Sequence, residues 1–191
     1  MYNYKTVFYT LGTLQIILGV FMLIPVIIQL IYSEIDSGFV SASIITIIFG
    51  VLFFLSNLDH NKNIDLPQAF ILTALSWLSI AIFGSLPFIF SELNLSFTDA
   101  FFESMSGITT TGSTIITDLN NAPKGILLWR AILQWLGGIG IILMAITLMP
   151  IMNIGGMQLF KISSNDNAEK ILPKSKEVSQ RLIIIYSLLT F

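Results

Sequence analysis

Thr109-Thr110-Thr111-Gly112, with Gly107 ahead of it and Ser113 after it, is the part of this chain whose residue types could do chemistry. That chemistry is coordination rather than bond-making. Gly107 and Gly112 permit backbone angles that other residues resist, and the threonines between them are stiff and favour extended backbone. An extended run of this kind can turn its carbonyl oxygens inward and replace the hydration shell of a bare cation, with hydroxyls coordinating or bracing. Upstream, Ser96, Thr98 or Asp99 can cap a short helix near residues 98–106, about 13 Å long. The C-terminal end of such a helix carries partial negative charge, which favours a cation beside it.

Little else in the chain offers chemistry. There is no cysteine and a single histidine, His60, so disulfides, thiolate sites and the usual zinc sites have no ligands. His60 falls in a polar turn, and no nucleophile and base stand at a credible spacing, which argues against an enzyme. Gly137-Gly138-Ile139-Gly140 follows no strand and lies in an apolar run, so it implies close helix packing or a bend rather than a nucleotide loop.

The elements that must position the threonine run are membrane helices. Charged residues make up 10% of the chain, against about a quarter in soluble domains. A net charge of −2 and the absence of a polybasic tail give no reason to expect nucleic acid as a partner. Four runs are long enough to cross about 30 Å of hydrocarbon: Thr6–Tyr32, Phe39–Asn57, Pro67–Phe90 and Gly125–Met149. Pro25 should kink the first, Pro67 suits a first helical turn, and Pro150 should end the fourth. The first run is too long for a signal peptide. Lys161, Lys170, Lys174, Lys176 and Arg181 make the stretch from Ile151 to Arg181 basic, which predicts a cytoplasmic loop and a cytoplasmic amino terminus. Ser91–Lys124 then faces outward. Another apolar helix begins at Arg181 and reaches only Phe191, so the sequence reads as cut short.

A polar segment between two crossings is tolerated at membrane depth only where protein buries it or it lines water. The alternative is a surface loop after an interfacial helix; the two flanking crossings, and Phe97, Phe101, Phe102 and Met105 as anchors, weigh against it. Arg130, near the start of the fourth crossing, either pairs with Glu103 or Asp118 and braces the loop or snorkels to the outer interface. Trp77, Trp129 and Trp135 are expected to pack or anchor. Gln15, Gln29, Gln68 and Gln134 are expected to join interhelical hydrogen bonds.

Phe101-Phe-Glu-Ser-Met-Ser-Gly-Ile-Thr-Thr-Thr-Gly112 closely resembles the first pore loop of the TrkH/KtrB family of bacterial potassium uptake proteins. Leu128-Trp-Arg-Ala-Ile-Leu-Gln-Trp-Leu-Gly-Gly-Ile-Gly-Ile142 is similar to the helix that follows, and Gly155-Gly156-Met157-Gln158-Leu159-Phe160 fits the TrkH branch. The resemblance implies an all-α membrane protein of pseudo-fourfold, potassium-channel-like design. Residues 1–58 would be two extra amino-terminal helices and 59–150 one helix–pore loop–helix repeat with its filter at 109–113. Residues 151–180 would be the cytoplasmic loop, and 181–191 the start of a second repeat, truncated there. By resemblance, K+ would bind at Thr110, Thr111 and Gly112, with Thr109 in the filter and Gly107, Ser113, Glu103 and Arg130 in support. Ser113 stands where a channel has an aromatic residue, which implies fewer, looser sites. The resemblance also implies potassium uptake across the bacterial plasma membrane, a homodimer, and a cytosolic nucleotide-binding regulatory subunit, to which any NAD or ATP would belong. One loop supplies a quarter of a fourfold carbonyl ring, so the alternative is a truncated, non-conducting membrane scaffold.

Overall fold

A computed structural model describes residues 4–34, 36–59, 66–152 and 171–190. His60, Lys62, Lys161, Lys170, the tract from Gly155 to Phe160 and Phe191 lie outside the described residues. Among the described residues four helical stretches are long and apolar enough to cross a membrane: Lys5–Ile31, Gly38–Ser56, Pro67–Phe90 and Lys124–Ala145.

Two of the four crossings are broken, each just ahead of a proline. The first consists of α1 (Lys5–Phe21) and α2 (Leu23–Ile31), interrupted at Met22. Pro25 has no N–H to give the Phe21 carbonyl four residues back, and its ring crowds that carbonyl, so the ladder parts there. After α3 (Gly38–Ser56) the third crossing splits likewise, into α4 (Leu66–Gly84) and α5 (Leu86–Phe90). Pro87 withdraws the donor for the Phe83 carbonyl, and at the break the neighbouring Ile82 carbonyl accepts both the Ser85 hydroxyl at 2.6 Å and the Ser85 N–H at 3.3 Å. The apolar run from Pro67 to Phe90 does not show this second break, because Pro87 falls near its end.

α6 (Phe97–Ile108) is the short helix expected near 98–106, longer by a residue at the start and two at the end. Ser96 caps it: its hydroxyl oxygen accepts from the Asp99 N–H at 3.2 Å while donating to the Asp99 carboxylate at 2.8 Å. α7 (Lys124–Met152) runs two residues past Pro150, so that proline does not end the fourth crossing as expected; its fixed φ is compatible with helix. α8 (Ile171–Thr190) begins ten residues before Arg181; Pro173 falls in its first turn, where proline is tolerated.

The chain forms two compact units, Met1–Gly137 and Gly138–Phe191. In the first unit α1 and α3 cross closely because glycines face each other. A Cβ on Gly12 would meet the Gly50 carbonyl oxygen at 2.7 Å and the Phe54 nitrogen at 2.6 Å. The Ser43 hydroxyl donates to the Gly19 carbonyl at 2.7 Å across the same contact. Such small-residue packing and interhelical hydrogen bonding replace the hydrophobic drive that lipid does not supply. The buried core of this unit joins Met22, Phe39, Phe88, Ala100, Trp129 and Leu133. In the second unit, Gly138 of α7 lies against the Tyr186 hydroxyl of α8.

Gly12→Val should push α1 off α3, because the added methyls meet backbone atoms that cannot move aside. A loss of about 1–3 kcal/mol is expected, read as a lowered denaturation midpoint of the chain in detergent micelles.

Candidate functional site

The loop after α6 is shaped by how that helix ends. Thr109 is the C-cap, with φ −79° and ψ 1°, and Thr110 follows in the left-handed region at φ 60°. The Thr111 N–H donates to the Ser106 carbonyl at 3.0 Å and the Thr110 N–H to the Gly107 carbonyl at 2.9 Å. These two bonds make a complete Schellman cap, with threonine where glycine is usual. The Gly112 N–H also reaches the Ser106 carbonyl, at 3.3 Å. The expectation that Thr109–Thr111 runs extended is therefore corrected: Thr109 and Thr110 close the helix, and the rising segment begins after them. The cap satisfies carbonyls that sequence reasoning left open at the helix end.

Gly112 has φ +75°, and a Cβ there would also come within 3.3 Å of the Gln134 amide nitrogen. The positive φ is what favours glycine here; the Gln134 contact is with the end of a flexible side chain that can shift. Gly107 is different. It sits inside α6, and what it permits is contact: a Cβ would lie 3.0 Å from the Leu133 Cβ of α7. Gly137 lets α7 approach further, for a Cβ there would run into the Ile108 carbonyl oxygen. Gly84 of α4 similarly admits Ser104, whose hydroxyl would be 2.6 Å from an added Cβ. Three glycines on three helices let α6 wedge between α4 and α7.

Thr109, Thr110, Thr111, Gly112 and Ser113 are all exposed, and the groups behind them are buried. The Ser106 hydroxyl donates to the Ser113 carbonyl at 2.6 Å. The Thr109 and Thr111 hydroxyls are 2.9 Å apart. Glu103 is the principal brace. Its side chain is fully buried, and its Oε2 accepts from the Thr114 hydroxyl at 3.0 Å and the Ile115 N–H at 3.1 Å. Its Oε1 faces Arg130 Nε as an ion pair rather than as an aligned hydrogen bond. A buried carboxylate is costly unless charge and hydrogen bonds meet both oxygens; here each oxygen is met. Arg130 pairs with Glu103 and not with Asp118.

Asp118 instead ties its own turn. Asn121 donates its side-chain amide to Oδ2 at 2.8 Å and its backbone N–H to Oδ1 at 3.3 Å. The side-chain bond first, then the backbone one, holds this fully exposed carboxyl below its ordinary range. Its contribution to the turn is present above the ordinary carboxylate pKa and is lost as pH falls through the lowered one.

Other expectations sort differently. Trp129 is buried and donates to the Gly84 carbonyl at 3.0 Å, with its ring edge-on to Phe39. Gln15 bonds to Ser79 across helices. Gln29 does not join such a bond: both its amide atoms are buried without a partner among the described residues, and Gly125 of α7 packs directly on its side chain. Sequence reasoning assigned Gln134 to helix contacts alone; its place beside Gly112 needs the register of α7 against the loop. No cluster of three or more His, Cys, Asp or Glu suited to a metal occurs among the described residues.

Glu103→Gln should leave Arg130, 15% exposed, without its charge partner and cost about 3 kcal/mol, measured by denaturation in micelles. Thr110→Gly should do the opposite. Left-handed threonine costs about 1–2 kcal/mol and part of that is offset by the greater freedom of glycine when unfolded, so a gain of about 0.5–1 kcal/mol is expected in the same assay.

A family model described as TrkH, cation transport protein, matches residues 35–191. The Trk system potassium uptake protein TrkI of Halomonas elongata is 40% identical over 177 residues, covering 92% of this chain and 36% of that protein. TrkH of Escherichia coli K12 is 37% identical over 194 residues, covering 98% of this chain and 40% of that protein. The crystal structure of the potassium transporter TrkH from Vibrio parahaemolyticus superposes with a TM-score of 0.84 at 33% identity, over 99% of this chain and 38% of that one. The chain thus spans about two fifths of the length of the relatives it matches. With its membrane-length helices and the family match over most of its length, it is a multi-pass membrane protein that belongs to the TrkH family of cation transport proteins.

Proposed function

We propose that this chain forms part of the membrane subunit of a Trk-type system that takes up K+ across a bacterial plasma membrane. The ion would pass along the carbonyls of Thr109, Thr110, Thr111 and Gly112, with Gly107, Ser113, Glu103 and Arg130 in support. One observation carries this reading. Five consecutive exposed residues, 109–113, are pinned from behind by buried groups, so their backbone is held in place while their outer side stays open. Carbonyl coordination of a dehydrated ion needs that combination, because a loop free to collapse would not hold the ring's diameter. The names of its relatives as potassium uptake proteins support K+ as the ion.

The same reading makes the loop one wall of a pore built from four such repeats, the others lying beyond the two fifths of its relatives that this chain spans. It also orients the chain with its amino terminus in the cytoplasm. Homodimer formation and a cytosolic nucleotide-binding regulator are proposed partners on family grounds. The Schellman cap refines the electrostatics. Because the Ser106 and Gly107 carbonyls are already engaged, the helix end contributes a weaker field than an open terminus, and the load falls on the loop's own carbonyls.

Rubidium uptake into a potassium-requiring strain tests the proposal, with the chain expressed alone and within the complete transporter. Gly112→Ala should abolish uptake by the complete protein, and Arg130→Gln should reduce it about tenfold or more, both at unchanged membrane abundance. Wild-type uptake that neither substitution alters would overturn the filter assignment. A complete protein that never conducts would leave the scaffold alternative standing.

A further inference from the structure

α2 ends as α6 does, in a Schellman cap built on a non-glycine residue. Tyr32 is its C-cap, and Ser33 follows in the left-handed region at φ 56°. The Glu34 N–H donates to the Gln29 carbonyl at 2.9 Å and the Ser33 N–H to the Leu30 carbonyl at 3.4 Å. This turn aims Glu34 away from its own helix. Its carboxylate accepts from the Lys124 N–H at 2.9 Å and the Gly125 N–H at 3.4 Å, ninety residues along the chain. Those are open donors of the first turn of α7, and no acidic residue in that first turn supplies a local cap. Beneath the carboxylate the buried Gln29 side chain rests on Gly125, where a Cβ would meet its Cγ at 2.8 Å. Two residues beyond Asp36, Gly38 abuts the Phe90 carbonyl at the end of α5.

We propose that Glu34 is a positioning residue for the loop at 109–113. It caps α7 from the amino-terminal hairpin and so sets where Arg130 stands. From Gly125 to Arg130 is under two helical turns, about 8 Å. Arg130 holds Glu103, and Glu103 holds the Ile115 N–H two residues after the loop. The chain of contacts is thus carboxylate, helix end, ion pair, loop amide, all within the first unit. Negative charge at a helix N-terminus favours this arrangement, and the glycine at 125 lets the hairpin seat against the helix. The two helices ahead of the repeat then contribute more than membrane anchoring: their outer turn locks the helix that braces the loop. The consequence for ion passage rests on the filter proposed above; the mechanical coupling does not.

Amide hydrogen exchange of the 191-residue chain in lipid nanodiscs tests the coupling without any need for conduction. Glu34→Gln should speed exchange at Lys124 and Gly125 about fivefold. It should also speed exchange at Ile115 about threefold, while amides in the α1–α3 contact stay unchanged. Gly125→Ala leaves Glu34 in place but displaces the same helix end, and should give the same pattern. Acceleration confined to residues 124 and 125 in both variants, or a uniform rise that includes α1 and α3, would overturn the proposal. Because uptake and exchange are read separately, failure of the filter reading and failure of this coupling are distinct results.

Discussion

A buried carboxylate governs this structure. Glu103 sits inside the protein on α6, where an unpaired charge would be untenable, so its environment has to be built around it. Arg130 must come within reach from α7, and Thr114 and Ile115 must return from the loop to meet the second oxygen. Satisfying one charge therefore fixes three segments relative to one another. The glycines at 84, 107 and 137 serve the same end, since without them α4 and α7 could not approach α6 closely enough for the pair to form.

Helix ends carry the rest of the design. α6 and α2 both finish in a left-handed residue with a side chain, Thr110 and Ser33, where glycine would be less strained. In each case the cap turns the chain sharply and delivers the next residues to a defined place. After Thr110 come Thr111 and Gly112, left open to solvent; after Ser33 comes Glu34, delivered to the first turn of α7. Strain at such positions persists because surrounding bonds over-determine them, and here those bonds are the paired backbone contacts of each cap.

Much of this was legible in the residues. The four crossings follow from apolar length, the short helix from Ser96 and Asp99, the break at Met22 from Pro25, and the need for glycine at 112 from its place after a threonine run. Arg130 drew notice because a charge at that depth needs a partner, though whether that was Glu103 or Asp118 stayed open. What escaped were features set by neighbours distant in sequence. The glycine at 107 looked like backbone freedom and proved to be room for Leu133. Gln29 looked like a hydrogen-bonding residue and proved to be packed under Gly125. Gln134 gave no sign of standing beside Gly112, and nothing in the sequence singled out Glu34.

By itself the sequence determined what local composition can specify: which segments are apolar enough to leave water, where prolines interrupt them, and which run is too polar for lipid yet lies between crossings. These depend on hydropathy and on backbone sterics, properties each residue carries wherever it sits. Only the tertiary structure decided which acid pairs with Arg130, that Thr109 and Thr110 close a helix instead of rising from it, and that Glu34 caps a helix ninety residues away. Those outcomes turn on hydrogen bonds and charge contacts that exist only once helices pack. Their partners are chosen by distance in space, and distance along the chain says nothing about it.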